Sequence, residues 1–112
     1  MAAGRMVLDT DILSAIMRQN PSIIPKVQAY LDQHRQFTFS IITRFEILRR
    51  LKSRNAVRQL HNFDTFCDRN IILSLTDKIV VQAAELYADI HRRGALIGDA
   101  DILTAASAIV NG

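Results

Sequence analysis

Apolar residues along this chain fall into two alternating rhythms, short unbroken runs and longer stretches spaced three and four positions apart. The run RMVL at 5–8 ends at Asp9 and reads as a buried strand, after which Ile12, Leu13, Ile16 and Met17 follow helical spacing. Asn20-Pro21-Ser22 closes that helix, since Pro21 cannot continue it, and Ser22 is expected to cap a second helix over 23–31. QFTFS at 36–40 has the aromatic and β-branched content of a strand. SIITRFEILRRLK at 40–52 puts apolar residues at 41, 42, 45, 48 and 51, the stripe of an amphipathic helix. The pattern predicts a further helix from about 56 to 68, a third strand in NIILSL at 70–75, and a long helix opened by Thr76-Asp77 and closed by Arg92-Arg93-Gly94. The last helix starts near Asp99 and is almost wholly apolar through Val110, which predicts burial on most of its sides. Strands alternating with helices across short turns imply parallel β-α-β units in a layered α/β domain.

Composition narrows this only slightly. A chain of 112 residues, 49% hydrophobic, supports a single domain over 1–112 around one core. One cysteine, Cys67, and no run long enough for a membrane span or signal peptide point to a cytoplasmic setting without disulfides or membrane contact. The net charge of +3 says little, but its distribution says more: Arg44, Arg49, Arg50, Lys52, Arg54 and Arg58 stand against Glu46 alone between 44 and 58. This basic stripe is either a solvated helix face or a footprint for a phosphate backbone. The three histidines show no metal-ligand spacing, and no glycine-rich phosphate loop is present.

The acids carry more information. If Asp99 caps the last helix, its side chain accepts the N–H groups of 101 and 102 and is fully explained; Asp101 is then surplus in the first turn of an apolar helix. VLDTDILSAI repeats the arrangement, with Asp9 at a strand's carboxyl end, where an open parallel sheet forms its ligand crevice, and Asp11 placed to cap the following helix. Glu46 matches a Thr-x-x-Glu capping box with Thr43, but a helix that starts at Ser40 puts it in the interior, bordering the core face. Each acid alone has a structural explanation. Three carboxylates in one crevice repel unless protons or a divalent cation offset them, and magnesium or manganese suits a hard-oxygen site.

These residues resemble the PIN-domain ribonucleases, and within them the VapC-type toxins of bacterial toxin–antitoxin pairs. The resemblance spans 8–110 and rests on LDTDILS at 8–14, SIITRFEILRRL at 40–51 and GALIGDADILTAASAIV at 94–110. It implies a three-layer PIN-like α/β domain with a parallel sheet flanked by helices. It also implies that Asp9, Glu46 and Asp101 form an acidic metal cluster for Mg2+, with Mn2+ as a substitute, hydrolysing RNA phosphodiester bonds through an activated water. On the same resemblance Thr10 and Ser40 are supporting positions that hydrogen-bond the acids and Asp11 stands where the family often has asparagine, while Asp99, which varies in the family, supports the site only as the expected helix cap. Arg44, Arg49, Arg50 and Lys52 are the expected RNA contacts, and an antitoxin protein and a second copy of the chain are the expected partners. The family pattern continues with a fourth strand beside the first and a Thr-x-Asn-x-x-Asp-Phe segment bearing a further acid. This sequence stops at Gly112, so the domain is expected to be C-terminally incomplete.

Two other readings compete with the nuclease. A PIN-like module that binds a partner helix without cleaving RNA would use Ile12, Ile16, Met17, Ile23, Ile24 and Val27 as its groove, although core packing explains the same residues. Asp9-Thr10-Asp11 also fits the Asp-x-Asp of haloacid-dehalogenase-like phosphatases, with Asp9 as nucleophile, but Ile12-Leu13 follow where that pattern expects other residues.

Overall fold

The structure is a computed structural model that describes residues 6–112, so Arg5 of the first expected strand lies outside the described residues. The elements follow in the order β1 (Val7–Leu8), α1 (Thr10–Met17), α2 (Ile24–His34), β2 (Thr38–Ser40), α3 (Ile41–Ser53), α4 (Val57–Asp68), β3 (Ile71–Leu73), α5 (Asp77–Arg92) and α6 (Asp99–Asn111). The strands form a parallel sheet in the order β1-β2-β3, with Leu8 opposite Phe39 and Phe39 opposite Ile72. The α/β class and the helix-flanked parallel sheet are as the sequence pattern predicts.

The strands are shorter than their apolar runs because polar side chains take over at their ends. Phe37 donates its N–H to Asn70 Oδ1 at 2.8 Å, and Asn70 Nδ2 donates to the Phe66 carbonyl at 2.7 Å. One side chain thus ties the start of β2 to the end of α4. Ser22 does not cap α2: the cap is Ile23, without a side-chain bond, and Pro25 in the first turn removes one N–H that would otherwise need a partner. Asn20 organises that turn instead, accepting from the Ser22 N–H at 3.0 Å and the Ser22 hydroxyl at 2.8 Å. Thr76 caps α5 as expected, accepting from the Ile79 N–H.

Packing divides into two apolar clusters. The first gathers Leu8, Leu13, Phe37, Phe39, Ile47, Phe63 and Cys67 around the sheet. Phe66 is its hub, stacked at 5.8–6.4 Å from Phe37, Phe39 and Phe63, within the range in which aromatic pairs add about 0.5–1.5 kcal/mol beyond area burial. Arg44 closes the outer side by lying over the Phe63 ring and donating to Cys67 Sγ at 3.0 Å and Asp64 Oδ1 at 3.3 Å. Burial pushes the Cys67 thiol up and Arg44 pulls it down, with a net rise. Burial also draws the Arg44 guanidinium down, but its partners Cys67 and Asp64 outweigh this and hold it above its ordinary value. The second cluster is aliphatic: Ile79 and Ala83 of α5 meet Ile102 and Ala106 of α6.

The expectation that α6 is buried on most sides is corrected here. Only Ile102, Ala106 and Ser107 are buried, while Ile109 is 55% exposed. The reason is the small size of the apolar residues on a second face. Thr104, Ala105 and Ala108, in helical register with Asp101, form the wall of an open pocket instead of filling it.

Candidate active site

The pocket lies where β1 and β2 deliver the chain into helices. The chain leaves Leu8 and enters α1 at Thr10, so Asp9 sits at the junction with an extended backbone and caps the helix, its Oδ1 accepting from the Ile12 N–H at 2.9 Å. The sequence expectation is reversed at this point. Asp9 caps and Asp11 lies in the first turn, because helix begins immediately at the strand end and leaves no residue between. Only one Asp9 oxygen is used by the cap. Asp11 is exposed at the same pocket.

Ser40 performs the corresponding task for α3, its buried hydroxyl accepting from the Thr43 N–H at 3.2 Å. Starting the helix there places Glu46 in its second turn, with a side chain only 18% exposed. Thr10 donates its hydroxyl to Glu46 Oε1 at 2.6 Å, a side-chain bond that links α1 to the α3 acid. Glu46 Oε2 lies 3.8 Å from Arg49 Nη2, a long contact to a guanidinium that is 60% exposed and also lies over the Phe45 ring. Such an exposed pair is worth at most about 1 kcal/mol and leaves the carboxylate available.

The start of α6 also differs from expectation. Gly98, not Asp99, is the cap residue, and no side chain caps the helix. Both Asp99 and Asp101 fall in the first turn, where the helix dipole favours them by about 0.3–1 kcal/mol each. Asp101 is exposed, with no hydrogen bond or ion pair among the described residues, and a Cβ on Gly98 would meet its Oδ2 at 3.9 Å. The carboxylate therefore folds back over the start of its own helix.

Asp9, Asp11, Glu46 and Asp101 line one pocket of about 370 Å³, with Arg50 the only cation on its wall among the described residues. Asp99 and Ser40 are outside that lining. Among the described residues, no three His, Cys, Asp or Glu side chains stand close enough to enclose a metal ion by themselves. The donor set still suits a hard cation such as magnesium, which is held through one or two carboxylates and keeps several of its waters. Four carboxylates facing one guanidinium also make the pocket an acidic concavity that attracts cations.

The basic residues separate by direction. Arg44 turns to α4 and Arg49 to Phe45 and Glu46, whereas Arg50 reaches the pocket and donates to Ser14 Oγ at 3.3 Å. Lys52 is exposed in the last turn of α3. A second, larger cleft of about 900 Å³ between α1, α3 and α4 shares Arg50 with the pocket and is also lined by Arg18, Arg54 and Arg69. Reading the sequence for charge runs overlooked Arg18 and Arg69, which are far apart in the chain; their common signal is that each directly follows a helix.

An α/β domain whose strand ends and helix starts gather carboxylates into one pocket is the architecture of a PIN domain, and the PIN domain family model matches residues 6–112. The chain belongs to that family. Its fold is similar to a chain in the crystal structure of VapBC2 from Rickettsia felis bound to a DNA fragment from their promoter. That likeness has a TM-score of 0.80 and 24% identity over 94% of this chain and 80% of the other. It is similar also to a chain in the crystal structure of DNA-bound VapBC from Salmonella typhimurium, with a TM-score of 0.77 and 22% identity over 93% of this chain and 78% of the other. Comparison with curated protein sequences finds no match. Family membership leaves no place for the haloacid-dehalogenase-like alternative. Among the described residues no helix is long and apolar enough to cross a membrane.

Proposed function

We propose that this chain is a magnesium- or manganese-dependent endoribonuclease and the toxin of a VapC-type toxin–antitoxin pair. The observation that carries the reading is the arrival of Asp9, Glu46 and Asp101, from the starts of α1 and α6 and the second turn of α3, on the wall of one pocket. Membership of the PIN family supports nuclease chemistry, and fold likeness to chains of VapBC complexes supports an antitoxin partner.

Asp9, Glu46 and Asp101 are the residues to hold the ion, with Asp11 as an additional acid on the same wall. Bound there, the ion lowers the pKa of coordinated water and offsets charge on the phosphoryl transition state. Thr10 orients Glu46 by donating to one of its oxygens, which leaves the other facing away from that bond. Asp9 is held in place by its own helix cap. Arg50 supplies the positive charge that draws a phosphodiester toward an otherwise acidic wall.

The test is cleavage of single-stranded RNA with magnesium, with EDTA, and with the variants Asp9→Asn and Asp101→Asn. Asparagine keeps the cap at position 9, so both variants should unfold at the wild-type temperature while cleavage falls by more than about 100-fold, since loss of even an outer partner of a metal site costs 10–100-fold. A folded wild-type chain with no magnesium-dependent cleavage would instead identify a PIN-like binding module, the reading favoured by the lack of a ready-made three-acid enclosure among the described residues.

A further inference from the structure

Three helices end at the larger cleft, and each ends on an arginine. Arg18 is the C-cap of α1, Arg54 of α3 and Arg69 of α4, and all three line the same cavity together with Arg50. An arginine at a helix end is unremarkable by itself, because the negative end of the dipole favours it and α2 and α5 also end at Arg35 and Arg93. What distinguishes these is convergence without neutralisation. The ion pairs among the described residues engage Arg44, Arg49, Arg92 and Arg93, and no acid lines the cleft. Three helix ends contribute about half a negative charge each, against the three whole positive charges of Arg18, Arg54 and Arg69, so the cleft remains positive even with Arg50 assigned to the acidic pocket.

Its floor is apolar, formed by Met17, Leu51 and Phe66, while Gln59 and Asn62 of α4 present amide groups along one wall. From Gln59 to Arg69 the helix covers about 15 Å at 1.5 Å per residue. A cleft of about 900 Å³ lies at the upper end of the ~300–1,000 Å³ typical of small-molecule sites, which leaves room for more than one nucleotide.

We infer that the α1/α3/α4 cleft seats an unpaired stretch of the RNA substrate, with phosphates on Arg18, Arg54 and Arg69 and bases on the apolar floor, and that Arg50 passes the strand to the acidic pocket. This inference rests on the nuclease reading above and adds the path by which substrate arrives. An unpaired strand fits because its bases offer both faces and edges to the floor and amides, whereas a duplex hides both. A phosphodiester chain also fits better than an acidic protein helix, because it brings one charge per residue to a cleft where Arg18, Arg54 and Arg69 have no ion pair among the described residues, and is continuous with the carboxylates through Arg50.

The experiment is fluorescence anisotropy in EDTA, so that binding is read without cleavage, using a short fluorescein-labelled single-stranded RNA, its duplex, and an amphipathic Leu/Glu peptide. The triple variant Arg18→Gln, Arg54→Gln, Arg69→Gln should bind the single strand at least about tenfold more weakly, with the slope of log K against log salt reduced by about 2, since each lost phosphate contact removes about 0.7. Arg92→Gln with Arg93→Gln should change neither quantity, and the duplex should bind more weakly than the single strand. Wild-type affinity in the triple variant, or equal losses in the control, overturns the inference. So does unchanged RNA binding alongside arginine-dependent capture of the peptide, which would assign the cleft to a protein helix. The two readings fail separately. Arginine-dependent RNA binding without magnesium-dependent cleavage in the wild type keeps the cleft and removes the nuclease, whereas cleavage with unchanged KM in the triple variant keeps the nuclease and removes the cleft.

Discussion

The acidic pocket and the arginine cleft lie on either side of Arg50, and they differ in which ends of the helices build them. Of the pocket's acids, Asp9 and Asp11 sit at the start of α1 and Asp101 in the first turn of α6, where the positive end of the dipole tolerates carboxylates, while Glu46 comes from the second turn of α3. Arg18, Arg54 and Arg69 stand at the far ends of α1, α3 and α4, where the negative end tolerates cations. Helix α1 runs from one site to the other, so the direction of the chain sorts the charge. Each charge is individually favourable by less than about 1 kcal/mol, too little to explain why acids share one cavity and unpaired arginines another. Direction explains which sign goes where, while convergence of several such ends is what marks a site.

If the two regions are separable, damage to one should leave the other working. The largest effect is expected at Phe66, which floors the cleft and stacks on Phe37, Phe39 and Phe63. Phe66→Ala should cost about 3 kcal/mol, at the low end for phenylalanine because the ring is only half-buried, and lower the urea midpoint accordingly. Below that midpoint, cleavage of a substrate at saturating concentration should survive while KM rises. A collapse of kcat with KM unchanged would show that the cleft floor supports the acids and that the division is false.

A smaller loss is expected at Thr10, whose hydroxyl bonds Glu46 at 2.6 Å. Thr10→Val keeps the shape and removes the donor, at a cost of about 1.5–3 kcal/mol for a bond to a charged, part-buried acceptor. Cleavage should fall about 10–100-fold, as for outer partners of metal sites, with single-strand affinity in EDTA unchanged. If affinity fell in step with cleavage, pocket and cleft would be one site.

The same contrast separates what the sequence shows from what it hides. The aspartates were legible because Asp-x-Asp occurs at two places where a helix begins, and Glu46 because a helix starting at Ser40 leaves an acid beside its core face. Which aspartate caps was not legible at either. At 9–11 the helix starts directly at the strand end and the first acid caps; at 99–101 Gly98 is the cap residue and neither acid caps. Burial of α6 was overestimated because alanine counts as apolar wherever it stands, and Thr104, Ala105 and Ala108 leave space in front of Asp101 rather than filling it. The arginine cleft was invisible because Arg18 and Arg69 are far apart in sequence and meet only when α1 and α4 pack along α3.

The basic stripe at 44–58 divides by direction in a related way, and its first member allows the finest test. Residues six apart on a helix are separated by roughly 120° around its axis, so Arg44 and Arg50 cannot share a face even though they share a charge run. Arg44 instead faces α4, with its charge on Asp64 and Cys67 and its plane over Phe63, and its side chain is 27% exposed. Arg44→Leu should therefore cost less than about 1 kcal/mol, because the exposed ion pair contributes little and leucine retains contact with the ring. Single-strand RNA affinity should stay within about twofold of wild type and the salt slope should not change, since a contact to phosphate would reduce it by about 0.7. A tenfold loss with a shallower slope would place Arg44 on the RNA after all, and the sorting of charge by helix end would then fail to distinguish the arginines that hold the protein together from those that face the substrate.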